Sequence, residues 1–117
     1  NLVYSSTSSE VGSIGVYVVV CDETEAYEAE GVKIHSFAAG EYKTIGAPWR
    51  KMTEKDEEYF ANDVNKWAEM FYSEVLKNRK IEAQWMRGQC FDGREAATIG
   101  LTDGVVDSLE EIPTLTR

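Results

Sequence analysis

The sequence predicts an α/β fold, and three observations support this prediction. A run of apolar, mostly β-branched residues, SIGVYVVV (13–20), is typical of a strand that is buried on both faces. A short helical segment and a second β-rich run, VKIHSF (32–37), follow it. A long stretch from Thr53 to about Arg79 then carries large apolar side chains at helical spacing. Strands that alternate with helices are the pattern of α/β domains.

The first half of the chain divides into short elements. Residues 2–4 (LVY) predict a strand that leads into the polar turn SSTSS, at residues 5–9. Residues 22–31 (DETEAYEAEG) predict a helix, because Asp22 suits the N-cap and Gly31 suits the position after the C-terminus.

The longest element begins at Thr53, where TEKD resembles a capping box with Asp56 in the place of the usual Glu or Gln. We expect its apolar stripe to pack in the core rather than to bind a cofactor; the stripe comprises Phe60, Val64, Trp67, Phe71 and Val75. The remaining predicted elements are a short helix that contains Trp85 and ends near Gly88, a strand QCF (89–91), a helix GREAATI (93–99) that stops at Gly100, and a last strand GVVD (104–107).

Composition sets limits on the class of protein. The 117 residues, 43% of them hydrophobic, have the length and make-up of one ordinary globular domain. A net charge of −9 argues against nucleic-acid binding. Cys21 and Cys90 are too isolated to indicate a zinc site or a disulfide scaffold, and no cofactor or metal is predicted. The longest apolar run, residues 16–21, is far shorter than the ~20 residues that span a bilayer.

Two candidate motifs carry no chemistry by themselves. GSIG (12–15) lacks the glycine spacing of a dinucleotide or phosphate-binding loop, so it predicts a turn before a strand. His35 is the sole histidine, and its alternation with Val32 and Ile34 favours a solvent-facing strand position.

Lys43 is the strongest candidate, because it lies in a tight loop of small and apolar residues, FAAGEYKTIGAP (37–48). A lysine acts as a general base only when its amine is neutral, and burial in a closed site favours the neutral form. The competing interpretation is an ordinary exposed loop lysine, which is the commoner case.

Three blocks of this sequence resemble the signal peptide peptidase A family in their order and spacing. They are VGSIGVY (11–17), AAGEYKTIGAPWRKMT (38–53) and GQCFDGREAATIGLTDGVVD (88–107). That family comprises Ser–Lys serine proteases on the ClpP/crotonase-like fold and includes phage head-maturation proteases, which the second block resembles most. The resemblance implies the C-terminal part of this fold, with few strands and a long amphipathic helix.

Carried over by position, Lys43 matches the catalytic general base of the family. Ser13 matches the hydroxyl that helps to orient that lysine. The nucleophilic serine of the family lies upstream of the GSIG block, at a position that would fall before Asn1. The resemblance therefore implies that residues 1–117 form a single, partial peptidase domain, which alone is expected to be inactive.

The resemblance also implies the partners. We expect a peptide or unfolded protein as substrate, such as signal-peptide remnants or phage head proteins, and a homo-oligomer whose active site is shared between subunits. Membrane anchoring would require a segment upstream of Asn1. The alternatives of bacterial cytoplasm, membrane association and phage prohead stay open. The competing hypothesis is a non-catalytic structural or oligomerisation module of the same fold.

Overall fold

The computed structural model describes residues 1–113, which form two compact units. The terminal unit comprises residues 1–16 and 67–113, and the central unit comprises residues 17–66. The elements are, in order, β1 (Tyr4–Ser5), β2 (Glu10–Gly12), α1 (Thr24–Ala29), α2 (Glu54–Asn78), a 3-10 turn (Ala83–Trp85), β3 (Cys90–Asp92), α3 (Gly93–Thr98), β4 (Gly104–Val105) and a second 3-10 turn (Leu109–Glu111).

The terminal unit contains two small sheets. β1 pairs in parallel with β4, with Tyr4 opposite Gly104, and β2 pairs antiparallel with β3, with Val11 opposite Phe91. Helix α3 packs against all four strands. The core of the unit consists of Ile14, Ile81, Met86, Ala96 and Leu101, and Ala96 is fully buried.

Helix α3 begins at Gly93 because Asp92 caps it. The Asp92 carboxylate accepts from the backbone N–H groups of Arg94 and Glu95, both at 2.9 Å, and the Glu95 carboxylate accepts from Asp92 N–H at 3.1 Å. This capping box was not predicted, although the helix and its end near Gly100 were.

Carboxylates near the C-terminal end of the described chain hold the N-terminal segment in place. Asp103 Oδ2 accepts from Val3 N–H at 2.7 Å and from Arg79 Nη1 at 2.9 Å. Asp107 accepts from the backbone N–H of Thr7 at 2.8 Å and from its hydroxyl at 2.9 Å. The N-terminal strand is thus fastened by residues about a hundred positions away in sequence.

The predicted first helix of the central unit is confirmed as α1, but the prediction of Asp22 as its N-cap was wrong: the N-cap is Glu23, which makes no side-chain capping hydrogen bond, and the helix begins at Thr24. Asp22 accepts from Thr24 N–H at 3.0 Å and from Met52 N–H at 2.9 Å. At the other end, Gly31 N–H donates to the Glu28 carbonyl and Val32 N–H to that of Tyr27. This is a Schellman motif, and Gly31 has the positive φ of 74° that the motif requires.

The predicted long helix is confirmed as α2, and so is its capping box. Thr53 Oγ1 accepts from Asp56 N–H at 3.2 Å, and Asp56 Oδ2 accepts from Thr53 N–H at 3.3 Å. The expectation that the whole apolar stripe is core was wrong, since Trp67 is 52% and Phe71 41% exposed. The described residues therefore cover only part of the apolar face of α2.

Among residues 1–113, helices with the length and apolarity to cross a bilayer are absent.

The two most strongly predicted strands, residues 13–20 and 32–37, do not pair in a sheet within the described chain. Ile14 is buried in the core, but most of their other large apolar side chains are exposed, with Tyr17 at 86% and Phe37 at 96%. A strand exists only where a second backbone exchanges hydrogen bonds with it, and residues 1–113 provide such bonds to Ser13 and Ile14 but not to residues 15–20 or 33–37. His35 is exposed, as expected. The described chain therefore contains both helix and sheet, and its strands are the short segments β1 to β4, each of two or three residues.

Gly93→Ala should destabilise the terminal unit. A Cβ at this position would overlap the backbone carbonyl of Ser6, so the contact between α3 and the N-terminal segment has to open. We expect a loss of about 1–3 kcal/mol, as for other overpacked sites, although alanine favours the helix itself. Urea unfolding followed by circular dichroism measures the change.

Gly31→Ala is the matched control, since a Cβ there meets nothing within 4 Å and only the positive φ of 74° opposes it. That substitution should cost about 1–2 kcal/mol. A Gly93→Ala variant as stable as the parent would contradict the close approach of α3 and the Ser6 backbone.

Asp103→Asn should weaken the acid dependence of stability. The hydrogen bond from Val3 N–H, and then that from Arg79, hold the pKa of Asp103 below its usual value. Because the folded-state pKa is lower than the unfolded value of about 3.9, the stabilisation is present above that pH and is lost as the pH falls further. Melting temperatures measured from about pH 2 to pH 7 should rise less steeply in this variant. Asp63→Asn, at an exposed position of α2, is the control that removes one carboxylate outside these contacts.

Candidate active site

Lys43 lies in a loop made of consecutive tight turns. Lys43 N–H donates to the Gly40 carbonyl at 3.1 Å, and Ile45 N–H donates to that of Tyr42 at 3.3 Å. Gly40 and Gly46 have positive φ values of 105° and 84°, which the turns require. The backbone on both sides of Lys43 is therefore fixed by local hydrogen bonds.

Arg50 fastens this loop to the beginning of α2. Its Nη1 donates to the Glu41 carbonyl at 3.4 Å and to Thr44 Oγ1 at 3.2 Å. Its Nη2 donates to Asp56 Oδ1 at 3.1 Å. Asp56 is only 3% exposed, and the ion pair satisfies its charge, as a buried carboxylate requires.

Aromatic and charged contacts join the loop to α2 a second time. The Tyr42 ring stacks on Tyr59, with centroids 5.1 Å apart and planes inclined by 17°. The Lys55 ammonium lies 5.3 Å from the centroid of the Tyr42 ring and pairs with Glu41. The hydrogen bond to Glu41 is the largest of the interactions that raise the pKa of Lys55. Lys55 is thus held as a cation beside the loop.

The side chain of Lys43 is exposed within the described part of the chain. The closed pocket that would favour a neutral amine is not built by the residues of the central unit. The central unit fixes the backbone that carries the amine and leaves the amine accessible.

Ser13 lies in the terminal unit, at the end of β2. Its backbone has a φ of 55°, in the left-handed region that costs a residue with a Cβ roughly 1–2 kcal/mol. Hydrogen bonds on either side hold this conformation: Ser13 N–H donates to the Gln89 carbonyl at 2.9 Å, and Gly88 N–H donates to that of Ile14 at 3.0 Å. The residue itself is exposed. Strained residues of this kind often belong to functional sites.

The two predicted site residues thus fall in different compact units, and both are exposed; Lys43 lies in a turn, whereas Ser13 follows β2 directly. Other serines near the N-terminus are engaged in the fold. The Ser5 hydroxyl donates to the Gly93 carbonyl at 2.9 Å, and the Ser9 hydroxyl donates to that of Ser6 at 2.8 Å.

Sequence reasoning missed the role of Arg50 and saw Asp56 only as part of a capping box. An aspartate in the first turn of a predicted helix, six residues after an arginine, was the available signal. This spacing does not predict an ion pair by itself, because the turns between the two residues determine whether their side chains come into contact.

Three curated proteins are similar to this chain in sequence. A putative protease of Methanocaldococcus jannaschii is 31% identical over 101 residues, which cover 83% of this chain and 32% of the relative. Capsid assembly protease C of Escherichia phage lambda is 26% identical, over 90% of this chain and 25% of its own length. A putative signal peptide peptidase SppA of Enterococcus faecium is 24% identical, over 98% of this chain and 35% of its own length.

The chain spans about a quarter to a third of the length of these curated relatives. The model of one protein family, described as peptidase family S49, matches residues 1–115 and so includes both candidate residues. The chain therefore belongs to peptidase family S49, which confirms its resemblance to the signal peptide peptidase A family.

Proposed function

We propose that this chain is the C-terminal portion of a serine endopeptidase and that Lys43 is its general base. The observation that carries the proposal is the fixation of Lys43 in a loop whose backbone is immobilised while its amine is left accessible. Membership of a peptidase family supports it. A base must be held within hydrogen-bonding reach of the proton it removes, and a rigid loop supplies that condition.

In this mechanism a serine outside these 117 residues attacks the carbonyl carbon of the scissile peptide bond. The neutral amine of Lys43 removes the hydroxyl proton as the new C–O bond forms. The resulting ammonium group then protonates the leaving amine, and the C–N bond breaks. A water molecule hydrolyses the acyl-enzyme, again with Lys43 as the base. Ser13 is proposed as the hydroxyl that orients this amine in the assembled protein.

The shelter that favours a neutral amine comes, in this proposal, from parts of the complete protein outside this chain. The unpaired runs 13–20 and 32–37 support it, because their exposed apolar side chains are suited to additional strands. We propose that they join the larger sheet of a ClpP/crotonase-like fold, in which residues 1–117 are part of one domain. A homo-oligomer with shared active sites is the proposed assembly.

Peptides or unfolded proteins are the proposed substrates. One relative is named a capsid assembly protease and another a signal peptide peptidase, so phage head proteins and signal-peptide remnants are the two candidate classes. A non-catalytic oligomerisation module is the second candidate function. The exposure of the Lys43 amine, Trp67 and Phe71 favours it, because an interface uses such surfaces without a catalytic base.

Lys43→Ala should abolish hydrolysis of an unstructured protein substrate by the complete protein. General-base catalysis contributes about 10²–10⁴-fold, so the rate should fall at least a hundredfold. Lys66→Ala, at an exposed position of α2, is the control and should retain full activity. The 117 residues alone should show no hydrolysis. If neither the parent nor the variant cleaves although both assemble, the non-catalytic module replaces the peptidase.

Substitutions of Ser13 should separate the effect of its hydroxyl on catalysis from the effect of its backbone strain on stability. Ser13→Ala and Ser13→Gly both remove one hydrogen bond, worth about 1 kcal/mol, so kcat should fall by a factor on the order of ten in each. Only Ser13→Gly relieves the positive φ of 55°, and it should be the more stable variant by up to about 1 kcal/mol. Parallel measurements of kcat and of urea unfolding test this. Full activity of Ser13→Ala would show that the hydroxyl does not orient the base.

A further inference from the structure

We propose that Arg50 and Asp56 are positioning residues for Lys43: the Asp56 carboxylate holds the Arg50 guanidinium, and the guanidinium sets the position of the loop that carries the amine. This inference rests on the proposed role of Lys43 as the general base. It concerns residues that act through Lys43 and do not touch the substrate.

The Asp56 carboxylate is the fixed point of this arrangement. It is 3% exposed, and its two oxygens accept from different groups, Oδ1 from Arg50 Nη2 and Oδ2 from Thr53 N–H. The backbone N–H of Asp56 donates in turn to Thr53 Oγ1. Because the residue lies in the first turn of α2, the partial positive charge of the helix terminus also favours its negative charge. The carboxylate therefore cannot move without disturbing the start of the helix.

The guanidinium group transmits this fixed position to the loop. Its Nη2 bonds Asp56, while its Nη1 bonds the Glu41 carbonyl and the Thr44 hydroxyl. Those two residues stand on either side of Lys43, two positions before it and one after it. A planar guanidinium donates in fixed directions, so it constrains the orientation as well as the distance of its partners. The loop is thereby held on both sides of the lysine.

Other contacts would keep the loop attached without Arg50. The turn hydrogen bonds of residues 40–47 and the Tyr42–Tyr59 stack do not involve the guanidinium. Removal of the guanidinium should therefore lower the stability of the unit, because Asp56 loses its charge partner, while these contacts keep the loosened loop attached to α2. Catalysis is sensitive to such loosening, since a displacement of about 1 Å can cost roughly a hundredfold in rate. Substrate binding has no direct dependence on these contacts.

The chain offers a matched control in its second sheltered Arg–Asp pair. Arg79 Nη1 lies 2.9 Å from Asp103 Oδ2, in the terminal unit, and the Arg79 side chain is at least as sheltered as that of Arg50. This pair fastens Val3, whereas residues 40–47 belong to the other compact unit. Its loss should lower stability without changing the chemistry.

The test compares kcat and KM of the complete protein with those of its Arg50→Met and Arg79→Met variants, on an unstructured protein substrate. Arg50→Met should lower kcat about 10- to 100-fold and change KM less than about threefold. Arg79→Met should keep kcat within about twofold even if it melts earlier. Thr44→Val removes one of the guanidinium contacts and should lower kcat several-fold. This variant replaces Arg50→Met in the test if Arg50→Met does not fold.

Asp56 supplies a rescue experiment. Asp56→Asn loses the charge that holds the guanidinium, whereas Asp56→Glu keeps a carboxylate at the position where capping boxes ordinarily have glutamate. We expect kcat of Asp56→Glu to exceed that of Asp56→Asn by about tenfold, since a charge-assisted hydrogen bond is restored. Equal kcat values for the two variants would contradict the positioning role.

The outcomes separate this inference from the proposed function. If Lys43→Ala is inactive while Arg50→Met and Thr44→Val match Arg79→Met in kcat, the positioning role is wrong and the base assignment stands. A loss that appears in KM alone likewise overturns the positioning role. If Lys43→Ala is fully active, the base assignment fails, and the positioning role fails with it.

Discussion

The buried carboxylate of Asp56 is the interaction on which the central unit depends. It starts α2 through its exchange of hydrogen bonds with Thr53, and it neutralises Arg50 at the same time. A buried ion is tolerated only when its charge and its remaining lone pairs are satisfied, and removal of one partner typically costs about 3–5 kcal/mol. The helix start and the loop are therefore a single arrangement. The first turn of α2 thus sets the position of the loop.

In the terminal unit, too, carboxylates hold the backbone in place by accepting hydrogen bonds. Asp92 caps α3, while Asp103 and Asp107 capture the backbone of the N-terminal segment. Each carboxylate accepts N–H groups that would otherwise lack an intramolecular acceptor, so the acidic composition has a structural use. Ser13 directly follows β2, and its N–H donates to the Gln89 carbonyl. Its strained φ persists because the surrounding hydrogen bonds determine it.

Local signals in the sequence were sufficient for the helices. The Thr53–Asp56 capping box and the glycine after α1 gave helix ends within one or two residues of those observed, because capping depends on neighbours in sequence. Strand pairing depends on residues far away, so runs 13–20 and 32–37 were predicted as strands from β-propensity that finds no partner among the described residues. For the candidate site, the resemblance pointed to Lys43 and Ser13, and both assignments stay predictions. The contact of Arg50 with the loop required the folded turns and could not be read from spacing.

The uncovered run from Val16 to Cys21 has a consequence for handling these 117 residues as an isolated polypeptide. It contains six consecutive residues without charge or proline, and it has high β-propensity. Such windows are the segments that nucleate intermolecular cross-β pairing when they are left open to solvent. The net charge of −9 opposes that association through electrostatic repulsion between molecules. Since salt screens this repulsion, colloidal stability of the isolated polypeptide should be highest in buffers of low ionic strength and should decline as counterions accumulate.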